Sequence, residues 1–271
     1  MKYIILFLIP ISVSGQPKNK MDEYTYFIQT FYQNLFTYYT GSGFFIKNNQ
    51  KTFFITNYHV YAGKINRTNG IKNYEIDQII ISGEKSNKVN IHISSKRDTI
   101  LENKILNYDA PDLICIEVSN LEPILEISKF VDTTFFSKVP KRIYVYGFPS
   151  EKVDINTHLP KGLGISCEFV KYDSLFMIKR TEHRPPGMED TTFLRKFEQK
   201  LFFVKKLNGF PGMSGSPVFG EYEVNKKIFI KFMGVYSALS TVGGLGGIIP
   251  AKEVVNVLNE AKKLSYQKEN N

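Results

Sequence analysis

Residues 208–220 read NGFPGMSGSPVFG, and this turn constrains the fold of the 271-residue chain more than any other stretch. Ser214 follows Gly212 and Met213, and glycine allows the unusual backbone angles that turn an N–H group inward. A nucleophilic serine must be exposed, rigid and close to N–H groups that stabilise an oxyanion. We therefore predict that Ser214 is a nucleophile and that the N–H groups of Gly212 and Ser214 form the oxyanion hole.

Two further motifs supply the partners that such a serine needs. FFITNYHV, residues 53–60, places His59 at the end of an apolar strand, and YDAPDLICIEV, residues 108–118, places Asp112 directly before another. Serine alone is a poor nucleophile, and histidine is the base whose pKa suits neutral pH. A carboxylate then fixes the histidine tautomer. We favour Asp112 in that role, while Asp109 is the alternative if it does more than cap a turn.

The three motifs, taken together, resemble the histidine, aspartate and serine boxes of the chymotrypsin-like (trypsin-fold) serine peptidases. The resemblance is closest to bacterial trypsin-like and glutamyl-endopeptidase-type members, and the order His, Asp, Ser is that of the chymotrypsin group. GSGFFI, VYGFP, MGVYSALS and GGIIPAKEVVNVL extend the match over about residues 38–258. It implies a secreted serine endopeptidase that acts on a peptide or protein substrate through an acyl-enzyme, with no cofactor.

Short runs rich in Ile, Val, Phe and Tyr, separated by turn residues, predict an all-β chain. With the resemblance, this becomes two antiparallel six-stranded β-barrels, at 38–130 and 139–250, followed by a C-terminal helix at 251–265. The spacing of apolar residues over Met21–Leu35 predicts a helix, within an N-terminal extension at 16–37. The polar, proline-containing stretch at 181–200 predicts a long surface loop.

The opening MKYIILFLIPISVSGQ has the layout of a cleavable signal peptide over residues 1–15. Its apolar run is too short to cross a bilayer, so we expect export and no membrane span. The alternative is a buried N-terminal strand. The net charge of +9 is spread along the chain without a nucleic-acid-binding motif, so we expect no nucleic-acid partner.

The two cysteines, Cys115 and Cys167, lie in apolar strand motifs and look like small core residues, although one disulfide between them stays open. No CxxC or HExxH pattern occurs in the sequence, and we therefore expect no metal site.

Departures from the digestive branch of the family concern activation and specificity. Met213 stands where trypsin-like zymogens have an aspartate, and Ser216 stands where the lipase elbow needs a glycine. The resemblance assigns the specificity pocket to five residues by spacing from the serine: Asn208, Ser237, Ala238, Leu239 and Gly246. Because Asn208 at the expected base is not acidic, a preference for Arg or Lys is not expected.

Two other functions fit the same sequence. A binding protein on the same fold could keep the triad yet lack catalysis, since fold does not fix function. A hydrolase with the same triad could act on esters instead of peptides. A comparison of matched amide and ester substrates separates the second case from a peptidase.

Overall fold

The computed structural model describes residues 22–32, 35–62, 76–83, 89–91, 112–118, 125–152, 161–181, 193–207, 210–242 and 244–269. The signal peptide predicted at 1–15 lies outside the described residues. The described helices are α1 (Tyr58–Ala62) and α2 (Ala251–Glu269). The described strands are β1 (Tyr26–Tyr32), β2 (Leu35–Asn48), β3 (Lys51–Thr56), β4 (Ile76–Gly83), β5 (Val89–Ile91), β6 (Ile114–Val118), β7 (Arg142–Gly147), β8 (Leu163–Thr181), β9 (Phe193–Lys205), β10 (Pro217–Val224), β11 (Lys227–Val242) and β12 (Leu245–Pro250).

The first half of the chain forms a six-stranded antiparallel sheet in the order β5-β4-β1-β2-β3-β6. The prediction of six strands in this half is confirmed for the sheet, but the described pairings leave it open, with β5 and β6 at its two edges. Residues 92–111, which join these edge strands, lie outside the described residues. Closure of this sheet into a barrel therefore stays a prediction.

The second half forms a closed barrel in the order β10-β11-β12-β9-β8-β7. This confirms a six-stranded barrel in the second half of the chain, while the predicted bounds at 139–250 and the boundary at 130–140 stay predictions. β8 and β9 also pair along a ribbon that continues to Thr181 and Phe193, well past their contacts with β7 and β12. The surface loop predicted at 181–200 is therefore wrong over 193–200. The hydrophobic alternation expected of a barrel strand is weak there because the ribbon extends beyond the barrel wall.

The helix predicted over Met21–Leu35 is also wrong. Asp22–Tyr24 form one turn of 3-10 helix, and the chain then enters β1, which lies between β2 and β4. A central strand packs on both faces, so Tyr26, Phe27 and Ile28 are all buried. The helix prediction failed because a run of consecutive apolar residues always contains some at helical spacing. The aromatic and β-branched residues of this run favour a strand.

Three cores hold the fold together. One lies inside the first sheet and one inside the barrel, and the third joins the two halves with the C-terminal helix. Successive side chains of β2 point to opposite faces of the sheet, so Phe44 packs in the joining core and Phe45 packs in the core of the first sheet. Cys115 and Cys167 are free thiols in different cores, and burial raises both pKa values, that of Cys167 to about 12.

The C-terminal helix follows Pro250 directly, as predicted, since proline suits the start of a helix. Its side chains Ala251, Val254 and Leu258 are buried in the joining core. Full burial of a side chain such as valine or leucine stabilises the fold by about 1.5–3 kcal/mol. None of the helices among the described residues has the length and apolar character to cross a membrane.

Candidate active site

His59 lies on the short helix α1 that follows β3, whereas the sequence predicted it at the end of the strand itself. The carbonyl of Asn57 accepts hydrogen bonds from the N–H groups of Val60 (3.1 Å) and Tyr61 (3.3 Å), which starts α1 directly after the strand. His59 is the second residue of this helix and is partly buried. The strand end therefore fixes the backbone from which the imidazole projects.

The carboxylate of Asp112 contacts His59 twice. Its Oδ2 atom lies 2.6 Å from His59 Nδ1, and its Oδ1 atom accepts the His59 backbone N–H at 3.1 Å. Ser237 Oγ donates a further hydrogen bond to Oδ2 at 3.1 Å. Such a carboxylate favours the histidine tautomer with its proton on Nδ1 and leaves the lone pair on Nε2. The two side chains are only 17% and 10% exposed, so little water competes for this pair.

Asn57 was missed by the sequence reasoning, although it lies within the TNYHV motif. Its Nδ2 atom donates to the backbone carbonyl of Asp112 at 2.7 Å, and its side chain is fully buried. This bond fixes the backbone of Asp112 while His59 and Ser237 fix its carboxylate. The sequence signal for this role is an asparagine two residues before the histidine.

The turn around Ser214 depends on two glycines with left-handed backbone angles. Gly212 has φ +86° and Gly215 has φ +90°. A Cβ atom on Gly212 would lie 2.6 Å from the carbonyl oxygen of Phe148, and one on Gly215 would lie 1.9 Å from that of Ser42. Both distances are far below ordinary contact, so the turn around Ser214 requires glycine on each side for steric and conformational reasons.

Backbone hydrogen bonds fix Ser214 relative to the other two predicted catalytic residues. The carbonyl of Ser214 accepts the N–H of Ser42 at 2.8 Å, and Gly215 N–H donates to the Tyr236 carbonyl at 2.9 Å. The residue after Tyr236 is Ser237, which contacts Asp112. Ser214 is 3% exposed. The turn is thus attached to β2 and to β11, and Ser237 on β11 contacts Asp112.

The direction of each N–H group in the predicted oxyanion hole follows from the hydrogen bond that the carbonyl of the same peptide unit makes. In a trans peptide the N–H points opposite to the C=O of the same unit. The Pro211 carbonyl accepts the N–H of Ser150 at 2.9 Å, so the Gly212 N–H points away from Ser150. The Met213 carbonyl is likewise hydrogen-bonded inside the turn, and this fixes the direction of the Ser214 N–H.

The predicted pocket residues are only partly brought together. Asn208 lies outside the described residues, and Ala238 and Leu239 lie on β11 with side chains outside the described set. The hydroxyl of Ser237 is directed at Asp112, so this side chain supports the carboxylate instead of lining a pocket. Gly246, on β12, pairs with Val204 of β9, and a Cβ atom on Gly246 would lie 2.0 Å from the Leu207 carbonyl oxygen.

Solved structures that share this fold include two proteins described as proteases. The chain is similar to the active form of the Rv3671c protease from M. tuberculosis, with 15% identity, TM-score 0.56, and coverage of 90% of this chain and 83% of that one. It is also similar to a serine endoprotease from Yersinia pestis, with 12% identity, TM-score 0.50, and coverage of 90% and 64%. It therefore spans slightly less than two thirds of the Yersinia protein. At these identities the likeness establishes the fold.

No protein-family model matches the sequence, and no curated protein matches it either. The fold therefore comes from the structure, while the assignment of chemistry depends on the residues of the site.

Proposed function

We propose that the chain is a serine endopeptidase in which Ser214, His59 and Asp112 form the catalytic triad. The observation that carries the proposal is the 2.6 Å contact between Asp112 Oδ2 and His59 Nδ1 in a protein whose glycine turn presents Ser214. A histidine oriented by a buried carboxylate is the base that a serine nucleophile requires.

The proposed reaction assigns one role to each of these residues. Ser214 Oγ attacks the scissile carbonyl carbon while His59 Nε2 takes the hydroxyl proton, and the tetrahedral oxyanion accepts hydrogen bonds from the N–H groups of Gly212 and Ser214. His59 then gives that proton to the leaving amine as the C–N bond breaks. Water, deprotonated by His59, attacks the acyl carbon. The ester bond to Ser214 Oγ then breaks, His59 returns the proton to Oγ, and the carboxylic acid product leaves. Throughout, Asp112 holds the imidazolium and stays ionised.

The serine motif GMSGSPVF also supports a finer assignment, to the bacterial trypsin-like and glutamyl-endopeptidase-type members. The side chain accepted before the scissile bond is proposed to be apolar and of medium size, or small and polar. We further propose export, from the positively charged start, the ten-residue apolar stretch and the small residues of the segment 1–15. Amino-terminal sequencing of the protein recovered from the medium or periplasm, with a start near residue 16, is the result that export requires.

The proposed triad is tested by reaction of the purified protein with a fluorophosphonate probe, which labels activated serines. The wild type should be labelled, and Ser214→Ala should abolish labelling. Asp112→Asn should retain the fold but lose about 10⁴-fold in rate, because the amide favours the wrong histidine tautomer. Asp109→Asn is the matched control and should react like the wild type.

Two results would contradict the proposed triad. One is the absence of any labelling in a well-folded wild-type protein, and the other is labelling that survives Ser214→Ala. Loss of activity in Asp109→Asn with retention in Asp112→Asn would instead transfer the carboxylate role to Asp109. Turnover of a matched pair of amide and ester substrates then distinguishes a peptidase from an esterase.

A further inference from the structure

Three consecutive backbone carbonyls of the nucleophile turn, those of residues 211, 212 and 213, each accept a hydrogen bond from a serine hydroxyl. The donors, in that order, are Ser150 at 3.3 Å, Ser42 at 2.9 Å and Ser216 at 2.6 Å. Ser150 and Ser42 come from other segments of the chain and Ser216 comes from the turn itself, and we refer to the three together as the serine clamp. The nucleophile turn is therefore held by the side chains of its neighbours as well as by its own backbone.

The serine clamp fixes the two N–H groups that the proposed reaction uses. The carbonyl of residue 211 shares a peptide unit with the N–H of Gly212, and the carbonyl of residue 213 shares one with the N–H of Ser214. Because C=O and N–H point in opposite directions across a trans peptide, holding each carbonyl also sets the direction of its N–H. Rotation of either peptide unit would require its carbonyl to leave a serine hydroxyl.

Ser42 is the most connected member of the serine clamp. Its hydroxyl donates to the Gly212 carbonyl and accepts the N–H of Phe148 at 2.9 Å. Its backbone N–H donates to the Ser214 carbonyl at 2.8 Å, and its own carbonyl accepts the hydroxyl of Thr56 at 2.7 Å. The Ser42 side chain is fully buried. One residue of the first sheet thus joins the nucleophile turn to the start of the segment after β7.

The other two members are built differently. Ser150 and Ser216 each donate a backbone N–H to the same carbonyl that their hydroxyl contacts, at 2.9 and 3.0 Å. The hydroxyl of Ser216 fits because Gly147 has no side chain, since a Cβ atom there would lie 2.1 Å from Ser216 Oγ. Each of these carbonyls keeps a backbone partner if the hydroxyl is removed. The Gly212 carbonyl belongs to the peptide unit between the two donors, and the N–H of that unit, on Met213, donates to the Phe210 carbonyl at 3.2 Å. Ser42 therefore acts on the oxyanion hole through this linking unit.

We propose that the serine clamp keeps the oxyanion hole in its catalytic arrangement before substrate binds, so that the turn needs no separate activator to order it. This inference rests on the proposed peptidase function and concerns the regulation of that same site. Ser42, Ser150 and Ser216 act as positioning residues, because they reach the reacting atoms only through the backbone of the turn. Donors that are already oriented avoid reorganisation during the reaction, which is the source of their catalytic effect.

The test measures the second-order labelling rate with a fluorophosphonate probe and the affinity for phenylboronic acid, whose tetrahedral adduct with a serine places an oxygen in the hole. Removal of an entire oxyanion-hole donor costs about 10²–10³ in rate. Ser42 holds the peptide unit that joins the two donors, so its removal should displace both donors without eliminating either, and we expect Ser42→Ala to lower the labelling rate and the boronate affinity about tenfold. Ser150→Ala and Ser216→Ala should lower both only a few-fold, because their backbone N–H groups remain.

Control variants separate positioning from general loss of packing. Ser82→Ala changes another buried serine, on β4 and outside the nucleophile turn, and should match the wild type in both readouts. Ser150→Thr keeps a hydroxyl at a partly exposed position and should restore the values lost in Ser150→Ala. If Ser42→Ala reacts and binds boronate like the wild type, the proposed clamp is wrong, although the triad stands. The same holds if Ser82→Ala loses as much reactivity and affinity as Ser42→Ala.

Amide hydrogen exchange distinguishes failure of the clamp from failure of the proposed function. If the wild type does not react with the probe, the peptidase proposal fails, and exchange at the Phe148 amide still tests the clamp. This amide should be protected in the wild type and should exchange at least tenfold faster in Ser42→Ala, with Ser82→Ala unchanged. Equal protection of Phe148 in all three proteins overturns the clamp in a protein of any activity.

Discussion

Substitution of Gly215 by alanine should damage both the stability and the reactive site, and its effect follows from the geometry of one added methyl group. The new Cβ atom would lie 1.9 Å from the carbonyl oxygen of Ser42 and 2.4 Å from the hydroxyl of Thr56. The clash with Ser42 involves backbone, so a side-chain rotation alone does not relieve it. The backbone at Gly215 also has φ +90°, where a residue with a Cβ atom is strained.

Two costs contribute to the expected loss of stability in Gly215→Ala. The left-handed conformation costs an alanine about 1–2 kcal/mol relative to glycine. Overpacking of a tight site typically costs about 1–3 kcal/mol more. We therefore expect the free energy of unfolding to fall by about 2–5 kcal/mol, a large part of the 5–15 kcal/mol that is ordinary for a folded protein. Because Ser42 must shift, labelling by the fluorophosphonate probe should fall as well.

The assay is urea unfolding followed by circular dichroism, with Gly164→Ala as the matched control. Gly164 lies on β8 at an exposed position, and the nearest atom to an added Cβ there is Tyr146 Cδ2 at 3.3 Å. That control should change the free energy of unfolding by less than about 1 kcal/mol, as most surface substitutions do. Equal stability of the two variants would refute the steric reasoning for Gly215, and normal labelling of Gly215→Ala would refute the link to the reactive site.

Two further predictions concern ionisable groups away from the site. Tyr144→Phe removes the hydroxyl that donates to the buried Glu221 carboxylate at 2.8 Å, and should lower the free energy of unfolding by about 1–3 kcal/mol, as measured by urea unfolding. The Thr134 hydroxyl, followed by Lys231, lowers the pKa of Asp132 from 3.8 to about 2. A lowered pKa stabilises the fold above pH 4 and loses that contribution as the pH falls towards 2. The melting temperature of Asp132→Asn should therefore fall less steeply than that of the wild type between pH 4 and 2, and parallel curves would contradict this.

The proposed triad was accessible from sequence because each of its members lies beside a motif that has a local physical cause. His59 follows a strand of buried aromatic residues, Asp112 precedes another, and the two strands, β3 and β6, pair in register, with Thr56 opposite Ile114. Antiparallel pairing places the end of one strand beside the start of the other. The closeness of His59 and Asp112 is thus a consequence of the sheet, whereas the sequence linked the two residues only through their motifs and the resemblance of those motifs to the family boxes.

The N-terminal strand was not accessible in the same way. Whether the aromatic run Tyr24–Tyr32 forms a helix or a strand depends on tertiary contacts, because β2 and β4 pair with both edges of β1 and the rest of the protein buries both of its faces. A periodicity argument assumes one buried face, and it fails where both are buried. The ribbon of β8 and β9 escaped prediction for the opposite reason, because its outer part lies beyond the barrel and carries no regular apolar alternation.

The serine clamp was hidden from sequence because serine hydroxyls have no pattern of their own. Ser42 and Ser150 are 108 residues apart along the chain, and only the tertiary fold brings their hydroxyls to the turn that contains Ser216. Gly147 of VYGFP and Ser216 of GMSGSPVF lie in stretches that resemble family motifs. Their physical meaning, namely space for a hydroxyl and a hydrogen bond to a carbonyl, required the coordinates.

Met213 shows how the turn is stabilised from its other side. This side chain is fully buried in the barrel core, where it packs with residues that include Val145 and Val218. An aspartate at the same position, as in trypsin-like zymogens, would place a charge in this apolar core and would need a partner to offset several kcal/mol of desolvation. Methionine needs no partner and adapts its shape to the space available. The turn is therefore anchored by apolar packing on one side and by the serine clamp on the other, and neither attachment depends on a change of charge.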